Sequence, residues 1–512
     1  MVQLSLKSKI FHGIHLFGLF GVAIGLPFNK IVLSIALMLL LANLLVQANF
    51  KSYWQHLKSN KLFLMIAAFW LLHIVGLLWT QEIDFALRDI RVKLPLIILP
   101  FVVTAQPITK KEIRFLLIVF VAAVFVTSTI NFLSFTQIFG EKSYTDIRGM
   151  SLFGSHIRYG IMVGFASAIC TYFLIEEKKM IPLLLAIISW FAYYTYFSEI
   201  MSGALAFIIG IACLVFPLLY SKSKLLAWSI LIVGGGSIVA IAVSLFVKPH
   251  HEIFNLEKAD KLTAEGNEYT HIRNEFRDVY GNYIFTYWCE KELRREWNAS
   301  SAIQYDSLDL RKQELRYTLL RYMASKKLRK DAKDFKQLSE FDIKNVENGI
   351  AEDPTIFKGI WNRINGIRYQ IHYSTDPNGH SLLQRVEFWK AGWEIAKDNW
   401  LIGVGTGDTQ IAFDKQYEKM NSPLSTEHRF RAHNSYLTVW ISFGLFSLLF
   451  FYLLFAFTRN MLAAKNYLGF AFILISLATF LIEDTLETQM GVTFFAFFYA
   501  LFSIEIKEFT SK

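Results

Sequence analysis

Runs of apolar residues long enough to cross a bilayer recur along this chain of 512 residues, and they leave it few folds to choose from. They lie at about 11–28, 31–47, 62–79, 94–105, 115–138, 159–175, 181–197, 204–220, 225–247, 434–457, 466–482 and 491–505, about twelve in all. The run 94–105 is the shortest. With 54% hydrophobic residues, 47 Phe and only 18% charged, the chain is too apolar for a soluble protein of this length. The expected fold is all-α and polytopic. Lys7 and Lys9 precede the first run, which has no convincing small-residue cleavage site and is expected to stay as an uncleaved anchor.

Basic residues recur in every second connection: Lys51, Lys58 and Lys61; Lys110, Lys111 and Arg114; Lys178 and Lys179; Lys222 and Lys224; Arg459 and Lys465. By the positive-inside rule both termini are cytoplasmic and the long insert faces outward. The rule holds by majority, since Arg88, Arg91, Lys93, Lys142, Arg148 and Arg158 fall on outer connections. The net charge of +10 gathers largely at the inner face, where anionic lipid is a simpler partner than nucleic acid. No nucleic-acid role is expected.

The pattern divides the chain into an N-terminal bundle of about nine spans over 1–247, an extracytoplasmic domain over 248–432, and about three spans over 433–512. Within the insert, 286–300 and 309–348 read as helical, and Asp376-Pro377-Asn378-Gly379 reads as a turn. A large helical domain without a sheet is expected there. Of three cysteines, Cys170 and Cys213 fall within spans and Cys289 is alone in the insert, so no disulfide framework follows.

The richest stretch runs from Ser381 to His433, just ahead of a span. Ser381 and Gln384 have the spacing of a capping box, which predicts a helix opening at about Leu382 with Arg385 in its first turn. At about 100° per residue Arg385 shares a face with Trp389, Gly392, Trp393 and Ala396, while Glu387, Lys390, Glu394, Lys397 and Asp398 lie opposite. A guanidinium on the apolar side needs a partner, and a phosphate at the membrane surface would suit it. The run Gly403-Val404-Gly405-Thr406-Gly407-Asp408 lacks the lysine and glycine spacing of a phosphate loop; these glycines are expected to end the helix and turn the chain. His433 can accept a proton near neutral pH, and Asn434 is placed to cap the next helix. Arg158 could bind a lipid phosphate or line a site. The acidic run Glu483-Asp484-Thr485-Leu486-Glu487 is expected to be solvated or to neutralise nearby arginines rather than to hold metal, since no histidine stands at ligand spacing.

Taken together, Arg385, Trp389, Leu401-Ile402-Gly403-Val404-Gly405-Thr406-Gly407, His433-Asn434-Ser435-Tyr436-Leu437 and Gly444 resemble the O-antigen ligase and O-antigen polymerase family of bacterial inner-membrane glycosyltransferases. The resemblance is strong over about 380–450 and elsewhere is one of pattern. It implies a GT-C-like architecture and a glycan donor carried on undecaprenyl diphosphate. The acceptor would be a hydroxyl of lipid A core, another glycan or a protein, on the periplasmic face. By analogy Arg385 would hold the diphosphate and His433 would act on the acceptor, with Arg158, Arg431, Trp389 and Asn434 binding substrate. Two positions depart from the family pattern: Met201 stands where many members have an arginine, and Ser442 where many have a glutamate. A second diphosphate cation must then come from elsewhere, with Arg158 the best candidate.

The residue chemistry points the same way, because a sugar diphosphate carries its own leaving group and needs only cations for the departing charge and one base for the acceptor. A single inverting displacement, with neither metal nor cofactor, is expected. Ligase, polymerase and protein O-oligosaccharyltransferase share this donor chemistry. A polysaccharide transporter or flippase would instead place ionisable groups within its spans and show repeated halves. A catalytically inactive glycan-binding protein is the third reading.

Overall fold

The computed structural model describes residues 6–136, 147–247, 255–272, 277–278, 281–353, 359–373 and 376–509; Lys142 lies outside them. Among the described residues the secondary structure is helical, with isolated bridges in place of a sheet. Contacts divide the chain into two units. One contains residues 1–142, 150–236 and 376–512, and the other contains 143–149 and 237–375. The segment 376–432 therefore packs within the unit of the apolar helices.

In chain order the first unit is built from α1 (Leu6–Phe28), α2 (Lys30–Gln47), α3 (Phe50–Ser59), α4 (Lys61–Val75), α5 (Ile83–Lys93), α6 (Pro95–Ala105), α7 (Lys110–Phe135), α8 (His156–Glu176), α9 (Ile181–Phe197) and α10 (Met201–Lys222), with α11 (Lys224–Phe246) running past its boundary. Nine helical stretches among the described residues are long and apolar enough to cross a membrane. The expected count of about twelve drops for a geometric reason. Helix α6 has 11 residues, a rise of about 16 Å that is roughly half a hydrocarbon core, and α21 with 14 residues and the apolar stretch Gln489–Ile504 of α22 also fall short of a full span.

Small residues set the packing that positions the site. A Cβ on Gly160 would lie 2.5 Å from Ile200, one on Gly164 2.6 Å from Ala206, and one on Gly210 2.8 Å from Ala168. With four-residue spacing on α8, these positions let α8 and α10 approach backbone to backbone. On its other side α8 meets a phenylalanine cluster: Phe165 packs edge-on against Phe472 and Phe498, and Phe120 of α7 against Phe498. Phe494 and Phe502 extend this inter-helix packing, each edge-on to Phe165.

The second unit holds α12 (Glu290–Ser300), α13 (Leu315–Ser325), α14 (Ala332–Phe335), α15 (Glu340–Glu347) and α16 (Ile360–Tyr373). Its core comprises Trp297, Tyr305, Leu319, Tyr322 and Val346 with their neighbours. The expected helix over 309–348 is broken into three, with left-handed turns at Lys312 and Lys327 and N-caps at Asp331 and Ser339. Side-chain capping there outcompetes helix continuation.

The first unit resumes at a turn in which Asp376 accepts from the Asn378 amide at 2.9 Å and Gly379 adopts φ +80. It continues through α17 (Ser381–Asp398), α18 (Thr409–Lys419), α19 (Ser435–Phe443), α20 (Leu448–Ala463), α21 (Tyr467–Phe480) and α22 (Gln489–Phe509).

Candidate active site

The helix expected at Leu382 begins one residue earlier. His380 is the N-cap of α17 and makes no side-chain cap, so the Ser381/Gln384 capping box does not form. Arg385 stands just past the first turn. The buried stripe of α17 is Phe388, Ala391, Gly392, Ile395 and Ala396, and Trp389 and Trp393 border it half-exposed. A Cβ on Gly392 would come within 2.8 Å of Leu437, which fixes α17 against α19. On the far face Lys390 pairs with Glu387 and Lys397 with Glu394, each at 2.9 Å, as a solvated surface does.

The glycine run turns the chain but does not end the helix, which stops at Asn399. Its glycines permit close approach instead. A Cβ on Gly403 would lie 2.3 Å from the Ser442 backbone, and one on Gly444 2.6 Å from that of Leu401. Val404 and Gly405 donate to the carbonyls of Ile441 and Ser442 at 2.9 and 3.0 Å. Asp408 then accepts from the amides of Gln81 and Glu82, at 2.9 and 2.8 Å, ahead of α5. The motif ties the end of α19 to the start of α5. Gly444, at φ +51, separates α19 from α20.

These elements gather charged side chains around the loop that joins α21 to α22. Arg385 Nη2 donates to the carbonyl of Ile482 at 3.2 Å and lies 3.4 Å from Glu483 Oε1. Arg158, in the first turn of α8, brings its own Nη2 within 3.8 Å of Glu483 Oε2. Two guanidiniums from distant parts of the chain therefore share one carboxylate. Arg158 Nε is buried and has no hydrogen-bond partner among the described residues. Burial pushes the Glu483 carboxyl above its ordinary range, although both arginines oppose the shift.

Beside this group, His433 Nδ1 lies 3.4 Å from Asp484 Oδ2. His433 adopts φ +46, a left-handed conformation that side chains rarely take. Burial lowers its pKa; Asp484 works to raise it, while Arg385, Arg158 and Arg431 work to lower it further. Burial also raises the Asp484 carboxyl, against the pull of His433. Both shifts favour the uncharged forms of the pair. Asn434 caps α19 as expected, its Oδ1 accepting from the Leu437 amide at 3.1 Å. Ser435 Oγ donates to the Glu483 carbonyl at 2.9 Å and joins α19 to the acidic loop.

Arg431 is engaged elsewhere. Its Nη1 donates to Glu487 Oε2 at 2.7 Å, and Lys93 Nζ reaches Glu487 Oε1 at 3.1 Å and Asp89 Oδ1 at 2.6 Å. Burial would raise the Glu487 carboxyl, but Lys93 and Arg431 outweigh it and hold the group below the usual carboxylate range. This buried network gives Lys93 its counter-charges. The acidic run is therefore not solvated: Glu483 is 4% and Asp484 6% exposed, and the run neutralises arginines. Among the described residues no group of three or more His, Cys, Asp or Glu side chains is arranged to hold a metal.

Trp389 Nε1 donates to the Ala432 carbonyl at 2.9 Å, next to His433. Its ring lines an open groove of about 400 Å³ with Trp393, Asn434, Tyr436, Trp440 and Phe451. Met201, at the start of α10, is exposed, whereas Ser442 is buried and donates to the Thr438 carbonyl at 2.8 Å. The neighbour of Met201, Ile200, packs on Gly160 of α8, only two residues beyond Arg158. Both arginines and His433 are legible in the sequence. The individual pairings of Glu483, Asp484, Glu487, Lys93 and Asp89 are not, and their one signal in the sequence is the acidic run between two apolar stretches.

Residues 343–452 match the family model described as O-antigen ligase. The matched stretch contains Arg385, Trp389, the glycine run, His433 and Asn434, but not Arg158 or the acidic loop. No curated protein matches the chain.

Proposed function

We propose, from the O-antigen ligase domain carried by residues 343–452, that this membrane protein moves a glycan from undecaprenyl diphosphate to an acceptor hydroxyl, with lipid A core as the acceptor, at the periplasmic face of a bacterial inner membrane. The observation that carries the reading is the convergence of Arg385 and Arg158 on Glu483 beside His433. A diphosphate is a stronger partner for two guanidiniums than one carboxylate is, so the donor would displace Glu483 from them. The acceptor oxygen then attacks the anomeric carbon from the face opposite the diphosphate. The new C–O bond forms as the bond to the diphosphate oxygen breaks, the acceptor proton passes to the His433 imidazole, and the arginines hold the departing charge.

In this scheme Arg158 supplies the cation that Met201 does not, from an adjoining helix end. Asp484 orients His433 and balances its charge once protonated. Asn434 and Trp389 hold the loop that carries the histidine, and Arg431 anchors the acidic loop through Glu487. We assign a GT-C-like architecture in which α21 and α22 complete the spans. The reaction is inverting and independent of metal, so transfer by the purified protein persists in EDTA.

Surface glycans of a deletion strain provide the test. Loss of capped lipopolysaccharide with accumulation of lipid-linked polymer supports the ligase. Retained capping by single units points to a polymerase, and an unchanged profile overturns the assignment.

A further inference from the structure

We infer that a phosphate-bearing anionic headgroup binds in a basic cavity at the other end of the bundle from His433. The cavity, of about 320 Å³, is lined by three cations of α7, Lys110, Lys111 and Arg114, against one carboxylate, Glu176 of α8, together with Tyr172, Leu468 and Phe502. It has room for roughly ten waters, enough for a glycerophosphate-sized group. Helix α8 spans the distance between the two sites, with Arg158 near its start and Glu176 at its end. At the usual rise these residues stand about 27 Å apart, so the cavity is remote from the proposed transfer chemistry.

The charge at the mouth favours an anion. Arg114 is held against the wall by Glu177 at 2.8 Å and Glu176 at 3.5 Å, and its guanidinium lies 4.9 Å from the centre of the Phe173 ring. Lys110 and Lys111 are both exposed, and among the described residues Lys111 has no carboxylate in ion-pair contact. The end of α7 does not itself supply the site. Thr109 and Glu112 form a capping box there, so side chains rather than free amides must hold the ligand.

Below the cations the lining turns apolar, with Leu117, Leu468 and Phe502 reaching in from α7, α21 and α22. A lipid satisfies both halves, its phosphate among the lysines and the start of its acyl chains against the phenylalanine. A soluble phosphate uses only the first half. Basic pockets between membrane helices bind anionic headgroups in this way.

Native mass spectrometry of the purified full-length protein, equilibrated with phosphatidylglycerol or phosphatidylcholine, tests the inference. The anionic lipid should be retained at least about tenfold better than the zwitterionic one. Lys110→Gln with Lys111→Gln should reduce that retention by about 30-fold, the effect of two lysines at an anionic surface. The single exposed variant Lys111→Glu, checked for an unchanged thermal midpoint, guards against misfolding. If millimolar inorganic phosphate binds the protein and displaces the lipid, the site belongs to soluble phosphate and the lipid assignment falls. Equal retention of both lipids, or retention unaltered in both variants, overturns the inference.

Discussion

His433 Nδ1 stands 3.4 Å from Asp484 Oδ2 without the geometry of a hydrogen bond, on a backbone held at φ +46. A loose contact of this kind suits a base that tightens onto its carboxylate only when it takes a proton.

Loss of the imidazole in His433→Ala should lower turnover by about 10²-fold or more while donor binding survives. Because burial and the arginines lower the His433 pKa, the base is free above its ordinary range and the rate falls only as pH drops below about 6.5. Asp484 opposes that shift, so Asp484→Asn should move the acid limb of the pH–rate profile to still lower pH. An unmoved limb would return Asp484 to a purely packing role.

Arg385→Lys should be nearly as damaging as Arg385→Ala, because a point charge cannot reproduce a bidentate guanidinium contact to a diphosphate. Ile200 packs on Gly160, two residues along α8 from Arg158, so an arginine introduced at Met201 would start from the neighbouring helix end. Met201→Arg should therefore restore part of the activity lost in Arg158→Ala. Transfer assays at equal membrane abundance decide both points, and wild-type transfer by Arg385→Lys would refute the specific role.

Glu487 bridges Arg431 and Lys93 in a buried network, and Glu487→Ala leaves both cations short of charge. The expected cost is about 3–5 kcal/mol of stability. Since the Glu487 carboxyl is held below its ordinary range, its contribution is complete above about pH 4.3 and is lost as pH falls further. Thermal midpoints in detergent should show the wild-type advantage shrinking in acid; an equal gap at every pH would mean that packing, not charge, holds this loop.

Reporter fusions after Asn267 or Lys330 should be active only as outer-compartment reporters, and those after Lys179 or Lys224 only as cytoplasmic ones. The alternating lysine clusters motivate this expectation. A cytoplasmic signal at Lys330 would reverse the orientation and remove the lipid-linked donor from reach.

The sequence by itself determined the helical class, the apolar helices and the cap at Asn434, and singled out Arg385 and His433 as candidates, because each of these readings depends on residues within a turn or two of one another. Even there, local signals failed where packing or capping competed. The capping box at Ser381 gave way to a helix starting one residue earlier, and the long helix over 309–348 broke at its internal caps. Only the tertiary structure decided which charges meet. Glu483 lies 98 residues from Arg385, and Glu487 lies 394 from Lys93, so no periodicity relates them. Their pairing follows from the approach of α8 to α10 at small residues, from α17 packed on α19 through Gly392, and from the cost of leaving a buried charge without its opposite.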